Sequence, residues 1–180
     1  MSGMFRGSQS FNQPLDNWEV SAVANMSNMF EDAVVFDQPI NIWDVSSVTL
    51  MQSMFEDAAV FNQSLANWDV SVVTNFEAMF KNASVYNQPL TTWNTGEALN
   101  MEEMFRGAAL FNQNIDNWNV SFVTTMEGMF EDAITYNQTM SSWNVASVAT
   151  MKNMFKGATL FNEDIGTWNV RGVTTMERMF

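Results

Sequence analysis

Apolar residues return along this chain every 25 positions, and the polar residues between them keep the same period. Phe5, Phe30, Phe55, Phe80, Phe105, Phe130, Phe155 and Phe180 form one column, and Trp18, Trp43, Trp68, Trp93, Trp118, Trp143 and Trp168 another. A second aromatic column reads Phe11, Phe36, Phe61, Tyr86, Phe111, Tyr136 and Phe161, and an aliphatic one Leu15, Ile40, Leu65, Leu90, Ile115, Met140 and Ile165. No insertion or deletion disturbs the register. A 25-residue unit cannot bury an apolar face alone, so columns of this kind mean that each unit stacks on the next. The aromatic and Met columns are therefore expected to be core, Met being a usual filler of irregular interiors.

The same pattern predicts two elements per unit. Val123, Met126, Met129 and Phe130 are spaced i, i+3, i+6, i+7, which places them on one face of a short helix. Thr124 with Glu127, Thr74 with Glu77 and Thr174 with Glu177 fit a capping box at its start. At its end stand Gly7, Asp32, Asp57, Asn82, Gly107, Asp132 and Gly157, residue types that tolerate a left-handed backbone. Such a helix has only about two turns and needs its neighbours for stability. The other half, as in Phe61-Asn62-Gln63-Ser64-Leu65, alternates in the manner of a short parallel strand. Pro14, Pro39 and Pro89 fall inside that segment, so the strand register must avoid them. The polar column Asn12, Asp37, Asn62, Asn87, Asn112, Asn137 and Asn162, with the Gln column beside it, reads as a buried hydrogen-bond ladder.

Written as MFxGAxxFNQxLxxWxVSxVTxM, the unit resembles the BspA-like surface-protein repeat of the mycoplasma-lipoprotein type, a distant relation of leucine-rich repeats. The likeness spans the chain: the pattern of Phe111-Asn112-Gln113, Trp118, Val120-Ser121, Val123-Thr124 and Met126 to Phe130 recurs in register. The resemblance implies a curved, leucine-rich-repeat-like solenoid found in secreted or cell-surface proteins, associated with adhesion and protein interaction and with no known catalysis as a class. The fold expected is thus an α/β repeat solenoid with one short parallel strand and one short helix per repeat. The fourth unit departs from the motif, reading Trp93-Asn94-Thr95-Gly96-Glu97-Ala98-Leu99 where its neighbours read WxVSxVT, and a kink is expected there.

Residues 1–180 then form a single array of seven repeats plus five residues. Met1, Met4 and Phe5 begin in mid-repeat and Met176, Met179 and Phe180 end at the same phase, so the array is expected to be cut from a longer one. Uncovered apolar ends are expected to favour end-to-end self-association. Met1 to Ser10 lacks the basic and apolar regions of a signal peptide, which places any export signal outside this segment.

Composition removes most chemistry. With no Cys and no His there is no disulfide, no Cys/His zinc site, no thiol nucleophile and no imidazole base. Neither an enzyme nor a cofactor is expected. The charge of −13 argues against nucleic acid and anionic lipid as partners, and no apolar run is long enough for membrane insertion. What remains is a protein or glycan ligand on an extended face. Binding is expected to fall on variable columns between invariant ones, foremost Asp16, Asn41, Ala66, Thr91, Asp116 and Ser141. Ile42, Leu50 and Phe122 are apolar where their columns are polar, and they add candidate contact points. Two alternatives stay open, a calcium-binding array using Glu31-Asp32, Glu56-Asp57, Glu131-Asp132, Glu19, Asp44 and Asp69, and a purely structural spacer.

Overall fold

A computed structural model describes residues 1–180, and it contains neither an α-helix nor an extended strand. The α/β solenoid expected from the pattern is therefore corrected to a stack of coils made of turns. Each 25-residue unit is one coil, joined to its neighbours by a single parallel bridge along the row Asn25, Leu50, Asn75, Asn100, Thr125, Thr150 and Thr175. Beside that row the amides of Thr49, Thr74, Leu99, Thr124, Ala149 and Thr174 each donate to the carbonyl 25 residues earlier, at 2.8–2.9 Å.

The segment expected to be a helix is a run of overlapping turns. The amides of Met29, Glu31 and Ala33 donate three residues back, to Met26, Asn28 and Phe30, at 3.0–3.3 Å. The amides of Met26, Asn28, Phe30 and Asp32 donate instead to Leu50, Gln52, Met54 and Glu56 of the next coil, at 2.9–3.0 Å. An α-helix would tie each amide to the fourth carbonyl before it and leave none for a neighbour. Alternation requires the backbone to change hand repeatedly. The column from Gly7 to Gly157 is left-handed as its composition suggested, with φ from 57 to 73°. A second left-handed column, at Gly3, Asn28, Ser53, Ala78, Glu103, Gly128, Asn153 and Arg178, has Gly or Asn in only half of its positions and is less marked in the sequence. The inward face was read correctly, since Val123, Met126, Met129 and Phe130 are fully buried.

The capping boxes do not form. Thr124 Oγ1 donates to the Leu99 carbonyl at 3.1 Å, and the Glu127 amide is met by Thr125 Oγ1 at 3.3 Å. In the neighbouring units Asn75 and Asn100 do the same for Glu77 and Glu102. No strand forms over residues 61–65 either, because the column of Asn12 pairs through side chains. Asn12 Oδ1 accepts the Asp37 amide, Asp37 Oδ1 the Asn62 amide, and so on to Asn162, at 2.8–3.0 Å. Gln38, Gln88, Gln113 and Gln138 donate to the same Asn oxygens. With side-chain oxygens holding this segment together, Pro14, Pro39 and Pro89 interrupt no backbone ladder. The ladder is real but partly solvated rather than buried.

Two stacks of aromatic rings run through the core, lined by the Trp, Met and aliphatic columns. Phe rings of one column follow each other at centroid distances of 5.4–5.8 Å. From Phe5 to Phe155 each also lies 3.9–4.2 Å from the second aromatic of its own coil. From Trp43 onward, each indole N–H donates to the aliphatic-column carbonyl 28 residues earlier, at 3.0–3.1 Å, so no buried indole lacks an acceptor.

Stacking continues through the fourth unit. Thr95 is buried and satisfies its hydroxyl on the Asn119 carbonyl at 3.0 Å. Phe76 stands where other units have Met, its ring 5.9 Å from Trp93, in the coil that adjoins the smaller Ala98. The hydrogen bonds on either side of Leu99 are unchanged at 2.9 Å, so the unit shows no break at the position where a kink was expected.

Candidate functional faces

With the interior filled by side chains and no pocket open on the surface, recognition chemistry is confined to the outer faces. Those faces are set by turns. Beyond the run of turns from Met26 to Ala33 and its counterparts, each coil has three further turns closed by an amide donating three residues back between two inward residues, which leaves the two central residues outside. In the second coil they are Ala33–Phe36, Ile40–Trp43 and Val45–Val48, with bonds of 3.0, 3.1 and 2.8 Å.

The Ile40–Trp43 corner carries the residues the sequence singled out. Asp16, Asn41, Ala66, Thr91, Asp116 and Ser141 occupy the same corner position on six successive coils, so the structure brings them into one line. Asp16, Thr91 and Ser141 are exposed and their side chains accept or donate no hydrogen bond within the chain, while Asn41, Ala66 and Asp116 are half-buried. Two of the row support the stack instead. Asn41 Oδ1 accepts the Asn67 amide at 2.9 Å, and the Asp116 carboxylate accepts both the amide and the hydroxyl of Ser142 at 2.9 Å. Of the apolar candidates, Ile42 and Phe122 are exposed, whereas Leu50 is half-buried in the bridge row.

The Val45–Val48 corner is built by the residue after Trp from the second coil onward. Asp44, Asp69, Asn94, Asn119 and Asn144 each accept the amide two residues on, at 3.0–3.2 Å, the local bond these residue types favour in turns. Hydrogen bonds from the hydroxyl and amide of Ser46 hold the Asp44 carboxyl below its ordinary range, and Ser71 does the same for Asp69. These two carboxylates are turn-forming groups.

The acidic pairs at the left-handed column divide. Glu31 meets Arg6 at 2.7 Å, Glu56 meets Lys81 at 3.2 Å, and the almost fully buried Glu131 meets Lys156 at 2.6 Å and Arg106 at 3.4 Å. Lys81 and Arg106, like charges on adjacent coils, are joined by Glu103, which pairs with both. Burial would raise the Glu103 carboxyl, but hydrogen bonds from Lys81 and Arg106 outweigh it and hold the group below its usual value. Glu102 is the opposite case, raised first by burial and then by Glu77, Glu127 and Glu103 around it. No three of the acidic residues come close enough together to hold a metal ion.

The remaining corner, Ala33–Phe36, escaped the sequence reading. From the second coil onward, with Ser84, Thr135 and Thr159 as the polar exceptions, its outer residues are mostly apolar, as at Val34-Val35, Ala59-Val60 and Ala109-Leu110. The signal was present but masked, because each of these residues directly precedes a core aromatic and reads as a continuation of the core.

Comparison with curated proteins finds no match, and comparison with solved structures finds none either. The chain does match the family described as "Mycoplasma protein of unknown function, DUF285", over residues 1–114 and again over 85–180. The two matches overlap and together span the whole array, so the chain belongs to that repeat family.

Proposed function

We propose that the chain is a non-catalytic repeat scaffold of a surface or secreted protein, binding a protein or glycan ligand through an exposed face. The observation that carries this reading is the corner row from Asp16 to Ser141. Its side chains differ from coil to coil, although the aliphatic and Trp columns that bracket them hardly vary. A row free to vary on a fixed frame suits recognition of an extended ligand. The resemblance of the unit to BspA-like surface repeats supports placement outside the cell.

A binding screen against glycans and extracellular matrix proteins, run with calcium and with chelator, tests the proposal. A saturable hit is expected, weakened about tenfold or more in a variant carrying Asp16→Ala, Thr91→Ala and Ser141→Ala. Those three support no neighbouring coil, so the variant keeps its melting temperature. Silence from a well-folded sample would favour a spacer. A melting temperature lowered by chelator would favour the calcium reading instead.

A further inference from the structure

Exposed turn corners ordinarily carry Gly, Pro, Asn, Asp or Ser, because these either set the backbone angles or bond locally. Two corners of each coil follow that rule in most units, and the Ala33–Phe36 corner breaks it repeatedly. The turn is closed by Ala33 and Phe36, both fully buried, so the fold has no need of large aliphatic groups at its outer positions. Val35, Val60, Leu110 and Leu160 nevertheless stand at one such position 39–58% exposed, with Val85 half-buried between them; in the sixth coil Thr135 takes that position and Ile134, 48% exposed, the one before it. Single exposed apolar residues are commonplace, but aliphatic groups exposed at one corner of successive coils mark a surface that something covers.

The chemistry beside the row says what. Asp32, Asp57 and Asp132 stand two or three residues before Val35, Val60 and Ile134, and none of the three is in an ion pair. Their neighbours Glu31, Glu56 and Glu131 each have a Lys or Arg partner. In three coils the apolar row is thus bordered by a carboxylate outside any ion pair, and in the other three by Asn82, Gly107 and Gly157, on a chain whose net charge is already −13. A second copy would bring like charge against like, and anionic lipid or nucleic acid would be repelled in the same way.

We infer that the apolar corner row docks an extended protein segment in which apolar side chains alternate with Lys or Arg. Apolar groups cover the aliphatic row while the cations meet Asp32, Asp57 and Asp132. Five coil steps of about 4.8 Å make the row roughly 24 Å long, the reach of about seven residues of extended chain. This face is separate from the row of Asp16, and the inference shares with the proposed function only the premise that the stack binds along its outside.

The test is fluorescence anisotropy with a labelled peptide of alternating Lys and Leu, set against alternating Glu-Leu and Lys-Ser peptides of equal length. The Lys-Leu peptide is expected to bind saturably and at least tenfold more tightly than either control. Two triple variants should each lose tenfold or more, V60S/L110S/L160S and D32N/D57N/D132N. Ser suits a turn corner and Asn tolerates the left-handed backbone at φ 57–59°, so both variants should melt where the parent does. Equal binding of Lys-Ser would reduce the effect to bulk charge and overturn the inference, as would unaltered binding by the first variant. Self-association that V60S/L110S/L160S abolishes would give the row to a second copy and overturn it too. A glycan or matrix hit that persists in both variants, with no Lys-Leu binding, would sink this inference and leave the proposed function standing.

Discussion

The Ile40–Trp43 and Ala33–Phe36 corners are closed in the same way, by an amide donating three residues back between two buried residues. They differ almost wholly in what they expose. One carries Asp16, Thr91 and Ser141, and the other Val35, Val60 and Leu110. Equal turns with unequal surfaces show that the stack fixes what lies inside a corner and leaves what lies outside it free. The polar corner uses part of that freedom for the stack itself, through Asn41 and Asp116. At the apolar corner only Ser84 and Thr135 make such a bond, and the aliphatic side chains can make none, which is why their chemistry calls for a partner.

The sharpest way to break this contrast is to cut inward rather than outward. Phe111 closes the apolar corner of its coil, fully buried and 3.9 Å from the Phe105 ring. Phe111→Ala should cost about 3–5 kcal/mol in a urea titration, since it removes the ring and leaves a cavity. An unchanged midpoint would mean that the coils do not depend on their aromatic stack.

Tyr86 and Tyr136 close the same corner in their own coils, with fully buried hydroxyls that have no hydrogen-bond partner. Tyr86→Phe and Tyr136→Phe should each raise stability by about 1 kcal/mol, because a buried hydroxyl without a partner costs about that much. Burial raises both phenols above their ordinary value, for Tyr86 by burial alone and for Tyr136 with Asp116 and Glu163 adding to it. The unfolded chain ionises near pH 10 while the folded one keeps its protons, so this contribution is complete below about pH 10 and is lost above it. Urea midpoints of the parent should fall further between pH 9 and about 11 than those of Y86F/Y136F; parallel falls would mean that the hydroxyls are already wet.

The smallest effects should separate the corners themselves. Asp116→Ala removes two hydrogen bonds to Ser142 and should cost about 1 kcal/mol. Leu110→Ser, outside its turn, should stay within about 0.5 kcal/mol of the parent. Equal costs would erase the distinction between a corner that braces the stack and one that faces outward.

Much of this was legible in the sequence because a strict period exposes its own columns. The stacked core, the left-handed positions from Gly7 to Gly157, the Asn ladder and the line from Asp16 to Ser141 all follow from register. The helix did not, and the reason is physical. A run of turns closed over three residues and a helix of 3.6 residues per turn place Val123, Met126, Met129 and Phe130 on one face alike. The difference lies in where alternate amides go, which depends on a neighbouring coil that a local pattern does not contain. The same ambiguity misassigned Thr124 as a cap, when the adjacent Thr125 meets the amide. The apolar corner was hidden because Val35 and Phe36 are adjacent and only their opposite directions tell them apart.

The bonds that pass from coil to coil, half of those in each run of turns, lie along the direction in which the coils are piled. A pull on the two ends of the array therefore loads the junctions in series, and each must carry the whole tension. The array yields by peeling one unit at a time, each release of 25 residues lengthening the chain by about 80 Å. Under load such an array should give way in steps and keep its remaining coils intact.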